Sequence, residues 1–395
     1  MWRDLILAWA KSLVGTYYHV VRIGADGAGG GPVVAVSNHT NGLVDGVVLI
    51  EATDRPLKFL AKQELMRMPV LGWLARGSGA VPVYRKKDNV PTSWNDGVFD
   101  AIHKALGDGA AVGVFPEGTS HLDAGIRPLK TGAARIALGA EESNAWRLGV
   151  RVVPVGIHYE ARDSMGSRVL TIVGEPVTVA SYRGGHRAAP WDTALELTGE
   201  IHQALETVRI ELKEEDAAPL IGLVLDEVAD GRLKRAAAPA ALRALVDGWR
   251  TWSSEDESAA RAALTSLADQ DRRRRAGGAW GATVLALRVL AGILWFVPLG
   301  LSQLLRRSLP LPVDKCATVL LLAGTVFFPV WLLALSWWIG SAFGAAWGWV
   351  AGAVLVASAW AAWWASRRSR ARAFPAAVAE ERARVASELR ARDQK

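Results

Sequence analysis

Short apolar runs alternate with amphipathic stretches from about residue 17 to residue 180, and that alternation predicts an α/β domain. Val33–Val36, Gly79–Tyr84, Ala111–Phe115, Val152–Ile157 and Val169–Val173 read as apolar strands. Helical periodicity fills 95–107, 130–142 and 193–213. Gly24 to Gly31 is rich in glycine but precedes a strand instead of opening a helix. That context predicts a hairpin turn and argues against a nucleotide-binding loop.

At the N-terminus Trp2, Leu5, Ile6, Trp9 and Leu13 fall on one helical face, with Arg3, Asp4, Lys11 and Ser12 off it. Such a helix (residues 1–22) either lies in a bilayer interface or packs on the folded domain. Its early acid and short apolar run do not read as a cleaved signal peptide. The α/β domain is expected over 23–213. Residues 214–278 are rich in Ala, Glu and Arg, with helical periodicity and no strand pattern. They read as a helical appendage, or else a solvated linker, whose run Arg272–Arg275 suits anionic lipid headgroups.

Composition changes the picture in the last third of the chain. Of 395 residues 51% are hydrophobic, yet Cys316 to Ala365 contain no Asp, Glu, Lys or Arg. Fifty uncharged residues exceed one span of ~20 and fit two transmembrane helices in a hairpin over 316–365. Ten of the eighteen Trp fall at or after Trp280, as expected of helix ends in a membrane interface. The apolar segment within 279–312 contains Arg288 and Pro298. A re-entrant or interfacial placement puts Arg272–Arg275, Arg306, Arg307, Lys315 and the basic tail 366–395 all on the cytoplasmic side, whereas a full crossing separates them. Gly340, Gly344, Gly348 and Gly352 recur every four residues, a small-residue face for packing within the hairpin or for a homodimer.

The net charge of +7 fits a partner such as anionic membrane lipid or a phosphate-bearing donor. Nucleic acid is excluded as a partner, because the basic runs flank apolar segments and no recognition motif appears. A single Cys316 forms no internal disulfide, and the absence of His-Glu-x-x-His or a Cys cluster argues against a metal.

The chemistry concentrates in Asn38-His39-Thr40-Asn41-Gly42-Leu43-Val44-Asp45, directly after the first apolar run. A histidine there sits at the open end of a buried strand, where α/β folds place their ligand crevice. A nearby carboxylate fixes the imidazole tautomer and stabilises the imidazolium. With no serine or cysteine nucleophile motif beside it, the pair reads as a general base acting on a substrate hydroxyl. Gly77-Ser78-Gly79 is not a nucleophile elbow, which argues against a hydrolase. Three further segments carry candidate groups. Arg85 ends an apolar strand and is suited to gripping a phosphate. In Phe115-Pro116-Glu117-Gly118-Thr119-Ser120 a carboxylate and a glycine follow a strand at once. Lys130 precedes the helix at Ala133 and adds to its anion-attracting end. His121 reads as a loop histidine on the rim.

Taken together, these segments and Val153-Pro154-Val155 resemble the four blocks of the glycerolipid acyltransferase superfamily, the glycerol-3-phosphate and lysophosphatidate acyltransferases, in order over residues 33 to 157. The resemblance implies an α/β acyltransferase domain, a mixed sheet flanked by helices, followed here by a helical segment and C-terminal transmembrane helices. It implies a membrane-bound enzyme moving an acyl group from acyl-coenzyme A or acyl carrier protein to glycerol-3-phosphate or 1-acylglycerol-3-phosphate, with the donor as substrate and no cofactor. His39 and Asp45 take the catalytic positions, Arg85 and Lys130 the acceptor phosphate, and Asn38, Glu117, Gly118 and Thr119 the glycerol pocket. An alternative acceptor is another lysophospholipid; an alternative class is a non-catalytic lipid-binding scaffold. The common family pattern has four residues between His and Asp, whereas this chain has five, similar to a subgroup that includes fungal glycerol-3-phosphate acyltransferases. On a regular helix the extra residue turns Asp45 by about 100°. A non-helical turn must therefore restore the contact.

Overall fold

The computed structural model describes residues 2–24, 28–83, 96–123, 125–162, 166–210, 289–308 and 313–370, with scattered residues between 220 and 287. Arg85, Arg272–Arg275, most of the 214–278 appendage and the tail beyond residue 370 lie outside the described residues.

Eight strands form one mixed sheet: β1 (His19–Gly24), β2 (Val33–Ser37), β3 (Leu57–Lys62), β4 (Val81–Val83), β5 (Ala111–Val114), β6 (Arg151–Tyr159), β7 (Arg168–Val173) and β8 (Val177–Thr178). Their order is β1-β7-β6-β2-β5-β3-β4, with β8 beside β6. β2 runs parallel to both β5 and β6, whereas β6 is antiparallel to β7 and β8. The central strands are Val-rich because both faces are covered. Side-chain alternation sorts them cleanly. Val34, Val36, Val112, Val152 and Leu170 join one core cluster, whereas Val33, Ala35, Val153, Val155 and Ile157 join the other.

Helices close each face. On the first lie α5 (Asp96–Gly107), α6 (Gly132–Ser143) and α8 (Pro190–Val208), through Ile102, Leu106, Ile136, Leu138, Leu197 and Ile201. On the second lie α1 (Trp2–Tyr17) and α2 (Gly42–Thr53), through Leu7, Val14, Val48 and Leu49. Short helices α3 (Gln63–Arg67) and α4 (Pro69–Gly77) follow β3, and α7 (Arg183–Ala188) precedes α8. Helix α1 packs on the domain through Ile6, Leu7, Val14 and Tyr17 but leaves Trp2, Leu5 and Trp9 exposed, with Trp2 edge-on to Trp73 of α4.

The hairpin expected at Gly24–Gly31 is not there. β1 pairs with β7 and β2 with β6, so two strands separate them. The glycine-rich connection is held by cations on its carbonyls: Arg55 donates to Gly29 O at 2.9 Å and Gly31 O at 2.8 Å, and Arg151 to Ala28 O at 2.9 Å. Its carbonyls point at guanidinium groups, the reverse of a phosphate-cradling loop.

Toward the C-terminus, α9 (Phe296–Ser308) precedes α10 (Val313–Phe343) and α11 (Ala345–Arg370), which fold back on each other at Gly344, φ +101°. Thr318–Phe343 is long and apolar enough to cross a membrane; the apolar part of α11, Ala345–Ala361, is shorter. The segment ahead of the hairpin is fastened to it: Trp295 donates to Ser358 Oγ at 3.2 Å, and Trp331 to Leu294 O at 2.9 Å. Helix α10 in turn touches α1 and α2, and Leu321 packs on the second core cluster. The glycine repeat does not present one free face. Gly344 sits in the turn, a Cβ on Gly348 would lie 3.0 Å from Gly340 Cα, and one on Gly352 would lie 3.0 Å from Ser336 Oγ. The hairpin thus packs on Gly348 and Gly352 of the repeat, the use within the hairpin that the spacing offers.

Candidate active site

Strand β2 ends at Ser37, and the chain is caught at once. Asn38 donates from Nδ2 to Ile157 O at 2.9 Å and accepts Ile157 N–H at 2.8 Å, tying the end of β2 to β6 across a buried gap. Asn38 was expected in the glycerol pocket; its amide is instead spent on this latch. His39 follows, and the chain then turns through Asn41 (φ −141°) and Gly42 (φ +52°) into α2. A glycine enters that left-handed region without the Cβ penalty of other residues. The turn absorbs the extra residue between His39 and Asp45. Asp45 consequently faces back over the loop, with Oδ2 2.9 Å from His39 Nδ1 and accepting Thr40 N–H and Asn41 N–H, each at 2.7 Å.

Asp45 is fully buried, and its second oxygen accepts the Tyr159 hydroxyl at 2.6 Å. Burial, reinforced by the Asp45 charge, pushes the Tyr159 hydroxyl well above the usual phenol range, so it stays a donor. Asn41 Nδ2 in turn donates to Tyr18 Oη at 3.1 Å. With the carboxylate accepting from four donors, His39 Nδ1 is the protonated nitrogen and Nε2 carries the lone pair. Among the described residues Nε2 has no hydrogen-bond partner, and the His39 side chain is 17% exposed. Phe115 stacks on the imidazole with ring centroids 4.2 Å apart at 14°, and Phe59 lies parallel beneath Phe115. The site therefore presents a base whose tautomer, ring plane and one nitrogen are fixed, and whose other nitrogen is open.

The segment after β5 lies beside it. Glu117 is buried; Oε1 accepts His39 N–H at 3.2 Å, and Oε2 accepts Arg127 N–H at 2.9 Å and the His121 ring N–H. Those donors, not a polyol hydroxyl, consume the carboxylate expected in the glycerol pocket. His121, expected on the rim, is 5% exposed and bonded to that carboxylate. Gly118 has φ +75°, and Lys130 extends its ammonium over it, in the space a Cβ would take. Thr119 and Lys130 are exposed beside this turn. The structure thus brings His39, Asp45, Asn38, Glu117, Gly118 and Lys130 to the β2 and β5 ends of the sheet, with Arg85 beyond the described residues.

Sequence reading did not single out Tyr159. Its signal was available, because it extends the run Val153, Val155, Ile157 by one more step of the strand period and so falls on the face that α2 covers.

Residues 19–158 match a protein-family model described as Acyltransferase. Glycerol-3-phosphate O-acyltransferase 2 of Saccharomyces cerevisiae is 36% identical over 31% of this chain and 16% of its own length. A 1-acyl-sn-glycerol-3-phosphate acyltransferase of Chlamydomonas reinhardtii is 31% identical over 37% of this chain and 41% of its own length. The chain thus spans well under half the length of these curated relatives. A crystal structure of the 1-acyl-sn-glycerophosphate acyltransferase of Thermotoga maritima aligns at TM-score 0.38 and 21% identity, over 52% of this chain and 80% of that one. Through residues 19–158 the chain is thus similar to the acyltransferase family and to relatives named for glycerol-3-phosphate and 1-acylglycerol-3-phosphate.

Proposed function

We propose that this protein transfers a fatty acyl group from a thioester to a hydroxyl of glycerol-3-phosphate or 1-acylglycerol-3-phosphate at a membrane surface. The observation that carries the proposal is the His39–Asp45 contact of 2.9 Å, which leaves an open Nε2 beside the third sequence block. Relatives named for those two acceptors support the substrate class.

In this mechanism Nε2 of His39 takes the proton from the acceptor hydroxyl as its oxygen attacks the thioester carbonyl carbon. Asp45 stabilises the imidazolium that results, and four donors keep the carboxylate from moving. As the tetrahedral intermediate collapses, the C–S bond breaks and the leaving thiolate receives the proton back from Nε2. The acceptor is itself the nucleophile, so no acyl-enzyme is required. Lys130, its ammonium over Gly118, supplies a cation for the acceptor phosphate, and Arg85 is assigned the same task. Acyl-coenzyme A or acyl carrier protein is the donor. The apolar α10–α11 hairpin anchors the domain in a cytoplasmic-facing membrane, where both the amphipathic acceptor and the acylated product reside.

The test is transfer of labelled acyl groups by membranes carrying the protein. Glycerol-3-phosphate, 1-acylglycerol-3-phosphate and a lysophospholipid with a full headgroup are offered in parallel, with each thioester donor. Incorporation into one of the first two supports the proposal. Incorporation into the lysophospholipid alone reassigns the acceptor, and donor hydrolysis without transfer rejects the transferase reading.

A further inference from the structure

Two histidine–carboxylate pairs, not one, meet at residue 39. His39 and Asp45 are joined through their side chains. Glu117 and His121 are joined through theirs as well, but they meet His39 through its main chain. Glu117 Oε1 accepts His39 N–H at 3.2 Å, and His121 N–H donates to His39 O at 3.0 Å. Both polar groups of the residue that carries the base are thus held by one short segment of the neighbouring loop.

That segment is itself fully tied. Glu117 Oε2 accepts Arg127 N–H at 2.9 Å as well as the His121 ring. His121 Nδ1 accepts Asp123 N–H at 3.2 Å, which leaves Nε2 as the protonated nitrogen facing Glu117. The Asp123 carboxylate accepts from Arg127 Nε at 2.6 Å and lies 3.5 Å from His121 Nδ1, while Arg209 donates to Asp123 O at 2.8 Å. The Glu117 and His121 side chains are 0% and 2% exposed. Neither has surface to offer a substrate. A carboxylate buried to this degree is unfavourable unless its oxygens are paired, and here every bond it makes fixes the loop or His39.

Resting on the acyl-transfer reading above, we infer that Glu117 and His121 are positioning residues: they set where the His39 base stands by clamping its peptide, and neither touches the substrate. The side chain of His39 can swing about its own bonds only as far as Asp45 and Phe115 allow; the origin of that swing is fixed by Glu117 and His121. A catalytic group has to be held within about 0.5 Å of its productive place. A displacement of about 1 Å at this point costs roughly 100-fold in rate.

The experiment compares His121→Ala, His121→Asn and His121→Gln in the full-length protein, each checked for cooperative thermal unfolding. The Gln amide reaches the place of Nε2 and can donate to Glu117, whereas the Asn amide is too short. The expected result is a kcat lower by roughly 10- to 100-fold in His121→Ala and His121→Asn, with acceptor KM within about twofold, and recovery in His121→Gln to within a few-fold of wild type. If the Ala variant fails to fold, the Asn–Gln pair carries the same comparison. A raised acceptor KM with unchanged kcat would overturn the inference in favour of a substrate contact. Equal loss in Asn and Gln variants would overturn it in favour of a role for the imidazole itself. A second readout does not depend on activity: the downfield proton resonance of His39 Nδ1–H, held to Asp45, is expected in wild type and His121→Gln and lost or shifted in His121→Asn. Its persistence unchanged in all variants would also overturn the inference. A wild-type protein silent in every transfer assay refutes the function proposed above and leaves this spectroscopic comparison to decide the clamp.

Discussion

The Tyr159 hydroxyl donates at 2.6 Å to one oxygen of Asp45, while the other oxygen receives His39 Nδ1 and two main-chain amides. The carboxylate is thereby locked in rotation by bonds from β6 on one side and from the loop on the other. Its orientation is decided before any substrate arrives.

Replacing Tyr159 by Phe removes one of those locks and keeps the ring packed against Tyr18. A hydrogen bond to a charged group contributes about 1.5–3 kcal/mol. If most of it is expressed in the transition state, the rate falls by roughly 10- to 100-fold. Initial-rate kinetics check this, with thermal unfolding to separate lost stability from lost rate. A Tyr159→Phe enzyme as fast as wild type would show that Asp45 is held well enough without it.

Gly42 at φ +52° lets the chain turn from His39 into α2 with five residues between the dyad partners. A side chain in that conformation costs roughly 1–2 kcal/mol. Gly42→Ala is expected to lower the melting temperature and, by displacing Asp45 from Nδ1, to lower kcat about tenfold or more. Gly42→Asn, which tolerates the left-handed region better, should lie between Ala and wild type. The order of the three melting temperatures is the measurement.

His158 is buried, donates to Val208 O at 3.0 Å, and is pulled down by that burial to a pKa of about 4. Unfolded, it titrates near 6.5. The folded state therefore refuses a proton that the unfolded state takes. Stability is full above about pH 6.5 and falls as pH drops toward 4, by on the order of 3 kcal/mol in total. His158→Gln keeps an amide donor and removes the titration. Thermal unfolding as a function of pH should then be flatter for this variant between pH 6.5 and 4. Parallel profiles for the two proteins would place the acid sensitivity elsewhere.

A Cβ at Gly348 would lie 2.6 Å from Ser336 O and 3.0 Å from Gly340 Cα. Gly348→Leu must push α10 and α11 apart, at a cost of typically 1–3 kcal/mol for overpacking. Denaturant titration in detergent, followed by Trp fluorescence, should show the hairpin loosening at lower denaturant. Transfer per folded molecule should stay near wild type, since the change lies on the hairpin and far in sequence from His39.

Much of this was legible in the chain because strand alternation and block order are local signals. Val33–Val36 and Val152–Ile157 announce buried strands, and the five-residue gap to Asp45 announces a non-helical turn, found at Asn41–Gly42. What was not legible depended on partners distant in sequence. The Gly24–Gly31 loop looks like a hairpin until β7 takes the place beside β1. Strand β3, LKFLAK, carries two lysines and hides its pairing with β5 and β4. Asn38 and Glu117 are polar residues in the right blocks, but only the fold shows their oxygens spent on Ile157, His39 and Arg127. His121 sits in a loop, which suggested exposure, yet a buried carboxylate four residues back draws it in.

Whether His39 is the base is decided by the rate of acyl transfer from a labelled thioester in membranes carrying wild type or His39→Ala. Both proteins are brought to equal amounts and shown to be folded. With His39 as the general base, its removal should lower the rate by about 100- to 10,000-fold while donor binding persists. A His39→Ala protein that retains transfer within about tenfold of wild type would contradict the account, because general-base catalysis accounts for more than that.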